Sequence, residues 1–174
     1  MKKSFLVLTI LIISISASCQ EGIAFEKVIQ AEGMNKDELF IKLNEWFASN
    51  YKSANDVLQM VDKDAGVIVG KGSMNYFHKK KSSYNGNLNY TIKTYVKDNR
   101  YKVLLSDFNH SGLSFDLGLI TSEEIYTNKG IYKKYHNQAW SDIKLKIKQY
   151  SYDIFNSFEN KTKKDNDMDI GDDW

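Results

Sequence analysis

Leu88-Asn-Tyr-Thr-Ile-Lys-Thr-Tyr-Val-Lys97 followed by Asp98-Asn99 and then Arg100-Tyr-Lys-Val-Leu-Leu-Ser-Asp-Phe108 is the stretch whose reading decides the fold. Leu88, Tyr90, Ile92, Thr94 and Val96 alternate with Asn89, Thr91, Lys93, Tyr95 and Lys97, a period of two that makes one largely apolar strand face. Asp98-Asn99 tolerates the positive φ of a two-residue turn, so Arg100–Phe108 returns antiparallel to the first run. Working toward the N-terminus, Asp56–Val61 and Val67–Phe77 flank the turn cluster Asp62-Lys-Asp-Ala-Gly66 and form a second hairpin. Gly70 and Gly72 lie two apart in the second of these runs. They share one face and leave a shallow trough for a helix or another backbone.

Two helices complete the reading. Asn35 caps the first, with Glu38 three residues on closing a capping box. Leu39, Phe40, Leu43, Trp46 and Phe47 then recur at spacings that put them on one side, which makes Trp46 a core anchor. In the second helix Trp140, Ile143, Ile147, Tyr150, Ile154, Phe155 and Phe158 form the stripe, and Lys144, Lys146 and Lys148 fall outside it. Ala24–Ala31 reads as a strand ahead of the first helix. Residues 109–137 show little periodicity and read as an irregular excursion, and residues 161–174 as a disordered acidic tail. The expected fold is therefore α+β, a two-layer arrangement of five antiparallel strands with both helices on one face, in the order β-α-β-β-β-β-α. One domain spans residues 22–160.

Composition narrows the function classes. The chain has 174 residues, enough for one core without disulfides. Lys2 and Lys3 precede the apolar run Phe5–Ile13 and the small residues Ser14–Ser18, so residues 1–19 read as an export signal too short to span a bilayer. Two processing routes stay open: cleavage before Gln20, or lipid attachment at Cys19, the single Cys of the chain, which follows Ser16-Ala17-Ser18 where a lipobox usually begins with Leu. The expected location is the periplasm or the outer membrane, with membrane contact only through Cys19. Loss of Lys2 and Lys3 from the 24 basic residues balances the 22 acidic ones, and Arg100 is the one Arg. A neutral domain almost without guanidinium groups lacks the phosphate attraction that nucleic-acid binding needs.

Several residue groups invite a chemical reading and fall short of one. Gly66-Val-Ile-Val-Gly70-Lys71 has its glycines four apart where a phosphate loop needs five, and Gly72 where it needs Ser or Thr. Asp62–Gly66 and Asp165–Gly171 resemble calcium loops but lack the closing bidentate acid. Ser106, Asp107, His110 and Ser111 place an acid, a base and hydroxyls near one strand end, which is the material of a triad without its geometry. His78, His110 and His136 have no ligand spacing among them and read as surface residues. Lys79–Lys81 and the lysines from Lys129 to Lys148 read as solvated surface, with anionic lipid or envelope polysaccharide as the alternative contact. No catalytic, cofactor-binding or metal residue is assigned, and no cofactor is expected.

Phe25-Glu-Lys-Val28, Asn35-Lys-Asp-Glu-Leu39 leading to Trp46, Lys52-Ser-Ala-Asn-Asp-Val-Leu-Gln59 and Gly66-Val-Ile-Val-Gly-Lys-Gly72 together resemble a secreted bacterial family, the domains of unknown function with a TATA-binding-protein-like fold. The resemblance runs from Phe25 to Phe108 and more loosely to Phe158. It implies the shape of one TATA-binding-protein half and leaves the DNA activity behind. The leading expectation is a noncatalytic binding or protein-interaction module of the cell envelope, its partner an envelope protein. A small-ligand carrier, with a cavity between helices and sheet or under the excursion, is the alternative, and a hydrolase around Asp107 and His110 the third.

Overall fold

The computed structural model describes residues 21–51, 57–127 and 130–163. Residues 1–20 and 164–174 lie outside that set, and with them the export signal, Cys19 and most of the acidic tail. Among the described residues six strands and two α-helices follow one another: β1 (Phe25–Gln30), α1 (Lys36–Asn50), β2 (Leu58–Asp62), β3 (Val67–Tyr76), a 3₁₀ turn at Ser82–Tyr84, β4 (Gly86–Lys97), β5 (Arg100–Gly112), β6 (Gly118–Leu119) and α2 (Lys133–Thr162). The sheet is antiparallel in the order β1-β5-β4-β3-β2, and β6 adds to β5 beyond the end of β1. Five strands were expected, and the sixth is the two-residue β6. It comes from the stretch read as irregular.

Both helices cover one side of this sheet. Their stripes bury Leu39, Phe40, Leu43, Trp46 and Phe47 of α1, and Trp140, Ile143, Ile147, Ile154, Phe155 and Phe158 of α2. The indole of Trp46 stacks on Phe158 at 3.8 Å, and its Nε1–H donates to Ser157 Oγ at 2.8 Å, so one side chain locks helix to helix. The capping box forms as read: Asn35 Oδ1 accepts from Glu38 N–H and Glu38 Oε2 accepts from Asn35 N–H, each at 3.0 Å. Asp98 in the β4–β5 turn adds a third contact by accepting from Lys36 N–H at 2.8 Å. Asn99 takes the positive φ of 63° that its side chain tolerates.

The trough left by the two strand glycines is filled from above. A Cβ at Gly70 would stand 3.1 Å from Phe47 Cε1, and one at Gly72 would overlap the ring of Tyr90. That ring lies across the trough and sends its hydroxyl to Tyr51 and Tyr150, each at 2.9 Å. Burial pushes the Tyr51 hydroxyl up to about 12 and Tyr90 further above the ordinary phenol range, so these two stay neutral.

β5 runs on to Gly112, four residues into the stretch read as irregular, and both ends of the second helix also differ from the sequence reading. The second helix begins at Lys133, ahead of the stripe that starts at Trp140; its first three residues are exposed, and there is no side-chain cap at Tyr132. It also runs past Glu159: Thr162 is buried and its Oγ1 exchanges a hydrogen bond with Tyr101 Oη at 2.8 Å, which makes Lys161 and Thr162 helix where tail was expected.

Candidate functional site

Register turns the open side of the sheet into a set of cross-strand rows. Val28, Lys102, Tyr95 and Val67 form one row from β1 to β3, and Glu26, Leu104, Lys93, Val69 and Met60 form the next. Gln30, Arg100 and Lys97 close that end. Val28 is 51% exposed, Met60 46% and Tyr95 38%, an unusual amount of bare apolar side chain on an otherwise charged surface. Lys102 Nζ sits 5.3 Å above the Tyr95 ring and 3.4 Å from Glu26 Oε2, two contacts that hold the ammonium over the aromatic face. A depression of about 340 Å³ opens here between Val28, Tyr95, Lys97, Arg100, Tyr101 and Lys102.

The opposite end of the same face has a different chemistry. Ser73 aligns with Asn89 and Asn109, and Asn75 with Asn87 and Ser111. Between the two ends the strands slip. β4 and β5 stay in step to Thr91 opposite Ser106 and resume at Asn89 opposite Asn109, leaving Asp107 as the extra residue with φ at 57°. This bulge switches the buried set of β5 from Tyr101, Val103 and Leu105 to Phe108 and His110, so both ends of β5 face the helices with their larger side chains. It also lifts Asp107 into a wide depression of about 690 Å³ with Lys71, Ser73, Asn89, Thr91 and Asn109.

The structure separates the triad material. Asp107 is exposed on the open face, bonded to Ser106 Oγ at 3.0 Å, whereas His110 is buried on the helix side. His110 was expected at the surface, and the correction has a clear cause: Nε2 donates to Tyr84 O at 2.9 Å and Nδ1 accepts from Leu117 N–H at 3.2 Å, which satisfies a neutral imidazole completely. Burial lowers its pKa against the raising pull of the Tyr84 carbonyl and Asp116. His136 and His78 also gather around Tyr84, at centroid distances of 5.6 and 5.8 Å, and each is half-buried instead of exposed. Their ring nitrogens are engaged, His136 Nδ1 with Tyr84 Oη at 3.0 Å and His78 Nδ1 with the N–H groups of Lys80 and Lys81.

Of the other motifs, in Gly66-Val-Ile-Val-Gly70-Lys71 the first glycine ends the turn with φ at 69° and Val67–Lys71 form the first half of β3. Asp62 Oδ1 accepts from Ala65 N–H at 2.8 Å, and Lys36 Nζ donates to Asp64 O at 2.6 Å, which makes this acidic cluster a closed turn. Lys81 lies 4.4 Å over the Tyr135 ring, so the Lys79–Lys81 loop and the start of α2 meet in one basic surface. Sequence reading missed the bulge and the amide rows. The signal for the bulge is present in the change of parity between Leu105 and Phe108.

Comparison with known proteins agrees with this geometry. A crystal structure of a DUF4468 family protein from Bacteroides ovatus ATCC 8483 is similar with a TM-score of 0.61 and 18% identity, covering 82% of this chain and 86% of that one. A TBP-like protein from Parabacteroides distasonis ATCC 8503 is similar with a TM-score of 0.52 and 16% identity, covering 80% and 94%. No curated protein matches the chain. The family model for the domain of unknown function DUF4468, with TBP-like fold, matches residues 25–111, the span from the first residue of β1 to the penultimate residue of β5. On that match, and with the sheet and helices arranged as its fold requires, the chain belongs to the DUF4468 family.

Proposed function

We propose that this domain is a noncatalytic binding module of the cell envelope, exported by residues 1–19 and anchored or released according to the fate of Cys19. Its working surface is the uncovered face around Tyr95. One observation carries the reading: Val28, Tyr95 and Leu104 are interleaved there with Lys93, Lys97, Arg100 and Lys102, and nothing in the chain's described residues covers them. Glu26 in those rows is already engaged by Lys102, and Asp62, which pairs with Val67 on the edge strand β2, by the Ala65 N–H. The surface therefore complements a polypeptide segment that alternates acidic and apolar side chains, the acids meeting the cation rows and the apolar groups covering Val28 and Tyr95. Because antiparallel sheets tolerate one wet face, the fold itself does not require a partner to be stable.

The test uses the full chain in intact cells with a photoreactive phenylalanine analogue at position 95, and a control at Tyr152, exposed on α2. A discrete heterologous crosslink at position 95 alone is expected, mapping by mass spectrometry to an acidic segment and lost when Lys97 and Lys102 are both changed to Glu. Recovery of only the monomer, or equal crosslinking at 95 and 152, would sink the assignment. The mass of the mature N-terminus in the same cells reports whether Cys19 carries lipid.

A further inference from the structure

We infer that the end of the molecule at which β3, β4 and β5 meet, opposite the Tyr95 end, is a docking surface for an anionic lipid bilayer. Tyr76, the last residue of β3, pairs with Gly86 at the start of β4, and Gly86 pairs with Gly112 at the end of β5. Beyond these strand ends Leu113 N–H donates to Asn85 O at 2.7 Å and Ser114 N–H to Ser83 O at 3.1 Å, which ties the loop after β3 to the chain after β5. The start of α2 joins them. Phe115 packs against the Tyr84 and Tyr132 rings at centroid distances of 5.3 and 5.4 Å, and Lys81 Nζ lies over Tyr135.

This end is bare in a way the rest of the surface is not. Ile131 is 93% exposed, Leu113 77% and Phe77 65%, three of the four most exposed large apolar side chains among the described residues. None of the three belongs to a helix stripe or a strand face, since Ile131 precedes α2 and Phe77 and Leu113 lie just past their strands. Tyr132 and Tyr135 are exposed beside them, and such rings suit a boundary between water and hydrocarbon. Five lysines stand among these groups: Lys79, Lys80, Lys81, Lys133 and Lys134 are all exposed, and none is in an ion pair among the described residues. Across residues 77–86, 112–117 and 130–137 the one acid is Asp116, whose Oδ1 accepts from Gly112 N–H at 2.6 Å. A domain that is neutral as a whole therefore gathers five positive charges against one negative at this end.

That pairing of features selects the occupant. The lysines complement a sheet of anionic headgroups, and Ile131, Leu113 and Phe77 can enter the hydrocarbon boundary beneath it. A soluble polyanion would use the lysines and leave those side chains in water. The chain also enters the domain from this side. Phe25 pairs with Leu105 and Gln30 with Arg100, so the path back from Gln30 advances along β5 toward Gly112, and Gly22 bridges Thr121. Cys19 lies three residues before Gly22, at most roughly 10 Å of chain. A lipid at Cys19 would turn this end to the bilayer, where the lysines add a second anchoring signal. The Tyr95 face lies at the other end of the strands, so either surface can fail without the other.

The test mixes the mature protein, purified from its cells, with vesicles of phosphatidylcholine alone and with vesicles in which a third of the lipid is phosphatidylglycerol. In the ratio of the two partition constants any contribution from a lipid at Cys19 cancels, and amide hydrogen exchange on the vesicles shows which surface is docked. The ratio is expected to be on the order of a hundredfold and to fall as salt rises. Protection should appear at residues 77–81, 113–115 and 130–135. Lys80→Gln with Lys134→Gln should lower the ratio about 25-fold, about fivefold for each lysine. Ile131→Ser should weaken binding to the anionic vesicles about tenfold. These positions are exposed, so both variants should melt with the parent, which establishes that they fold. Changing Lys97 and Lys102 to Glu should leave docking as it was while removing the crosslink at position 95. A ratio near one overturns the proposal, as does vesicle binding that is lost with Lys97 and Lys102. Protection produced by soluble polygalacturonate and not by vesicles would overturn it in favour of an acidic polysaccharide.

Discussion

Along β4, adjacent residues live in two different solvents. Leu88, Tyr90, Ile92, Thr94 and Val96 are buried under the helices, while Asn87, Asn89, Tyr95 and Lys97 between them are exposed. The same backbone hydrogen bonds serve both sets. What differs is the cover, and the difference teaches where each kind of selection acts. The covered face fixes the fold through apolar volume, and the open face is free to carry chemistry that the fold does not use. The comparison breaks most visibly if equal truncations on the two sides cost the same. Phe47, fully buried and seated over Gly70, is expected to cost about 3–5 kcal/mol when changed to Ala. Tyr95→Ala should stay within about 0.5 kcal/mol, as exposed positions do. Urea unfolding of both variants decides it, and a Tyr95→Ala loss approaching that of Phe47→Ala would mean that the open face also holds the fold together.

The next effect is smaller and depends on pH. Burial lowers the pKa of His110 and of His136 below the ordinary imidazole value, whereas the unfolded chain titrates both near it. The unfolded state therefore binds more protons just below that value. Stability from these groups is present above about pH 6.5 and is lost as pH falls toward the lowered folded values. Glu45 and Glu159, held down by Lys161 and Lys27, act in a separate window below the ordinary carboxylate range. Melting temperature is expected to fall between pH 7 and 5, and to fall less in His110→Gln, which keeps a donor and an acceptor but cannot charge. An identical slope in that variant would remove His110 from the account.

How much of this was legible depended on whether the cause was local. Alternation over 88–97, the stripe from Leu39 to Phe47 and the Asn35–Glu38 box are periodicities or short-range bonds, and each formed where the sequence put it. His110 was misread because its burial depends on Tyr84 and Leu117, partners brought near it by the chain's turns and marked by no spacing. β6 escaped notice because two residues cannot show a period. The open face was anticipated as a place for a partner, through Tyr95, Lys93 and Arg100, but its division into a cationic end and an amide end appears only once register aligns four strands.

That division gives the smallest and sharpest prediction. Asn is disfavoured in strands because it supplies little to pack on a pleated surface and its side chain competes for backbone bonds. Yet Asn75, Asn87, Asn89 and Asn109 sit in neighbouring rows of β3, β4 and β5, all exposed. If these amides are merely solvated, Asn89→Thr should raise stability by a few tenths of a kcal/mol up to about 1 kcal/mol, since Thr packs better between Ser73 and Asn109. Thermal unfolding measures the gain. Because the cationic end of the face is where binding is placed, Asn89→Thr should leave the crosslink at position 95 intact while Lys102→Glu weakens it. A stabilised Asn89→Thr protein that lost the crosslink would instead extend the contact surface across the bulge at Asp107, and the two ends would then act as one.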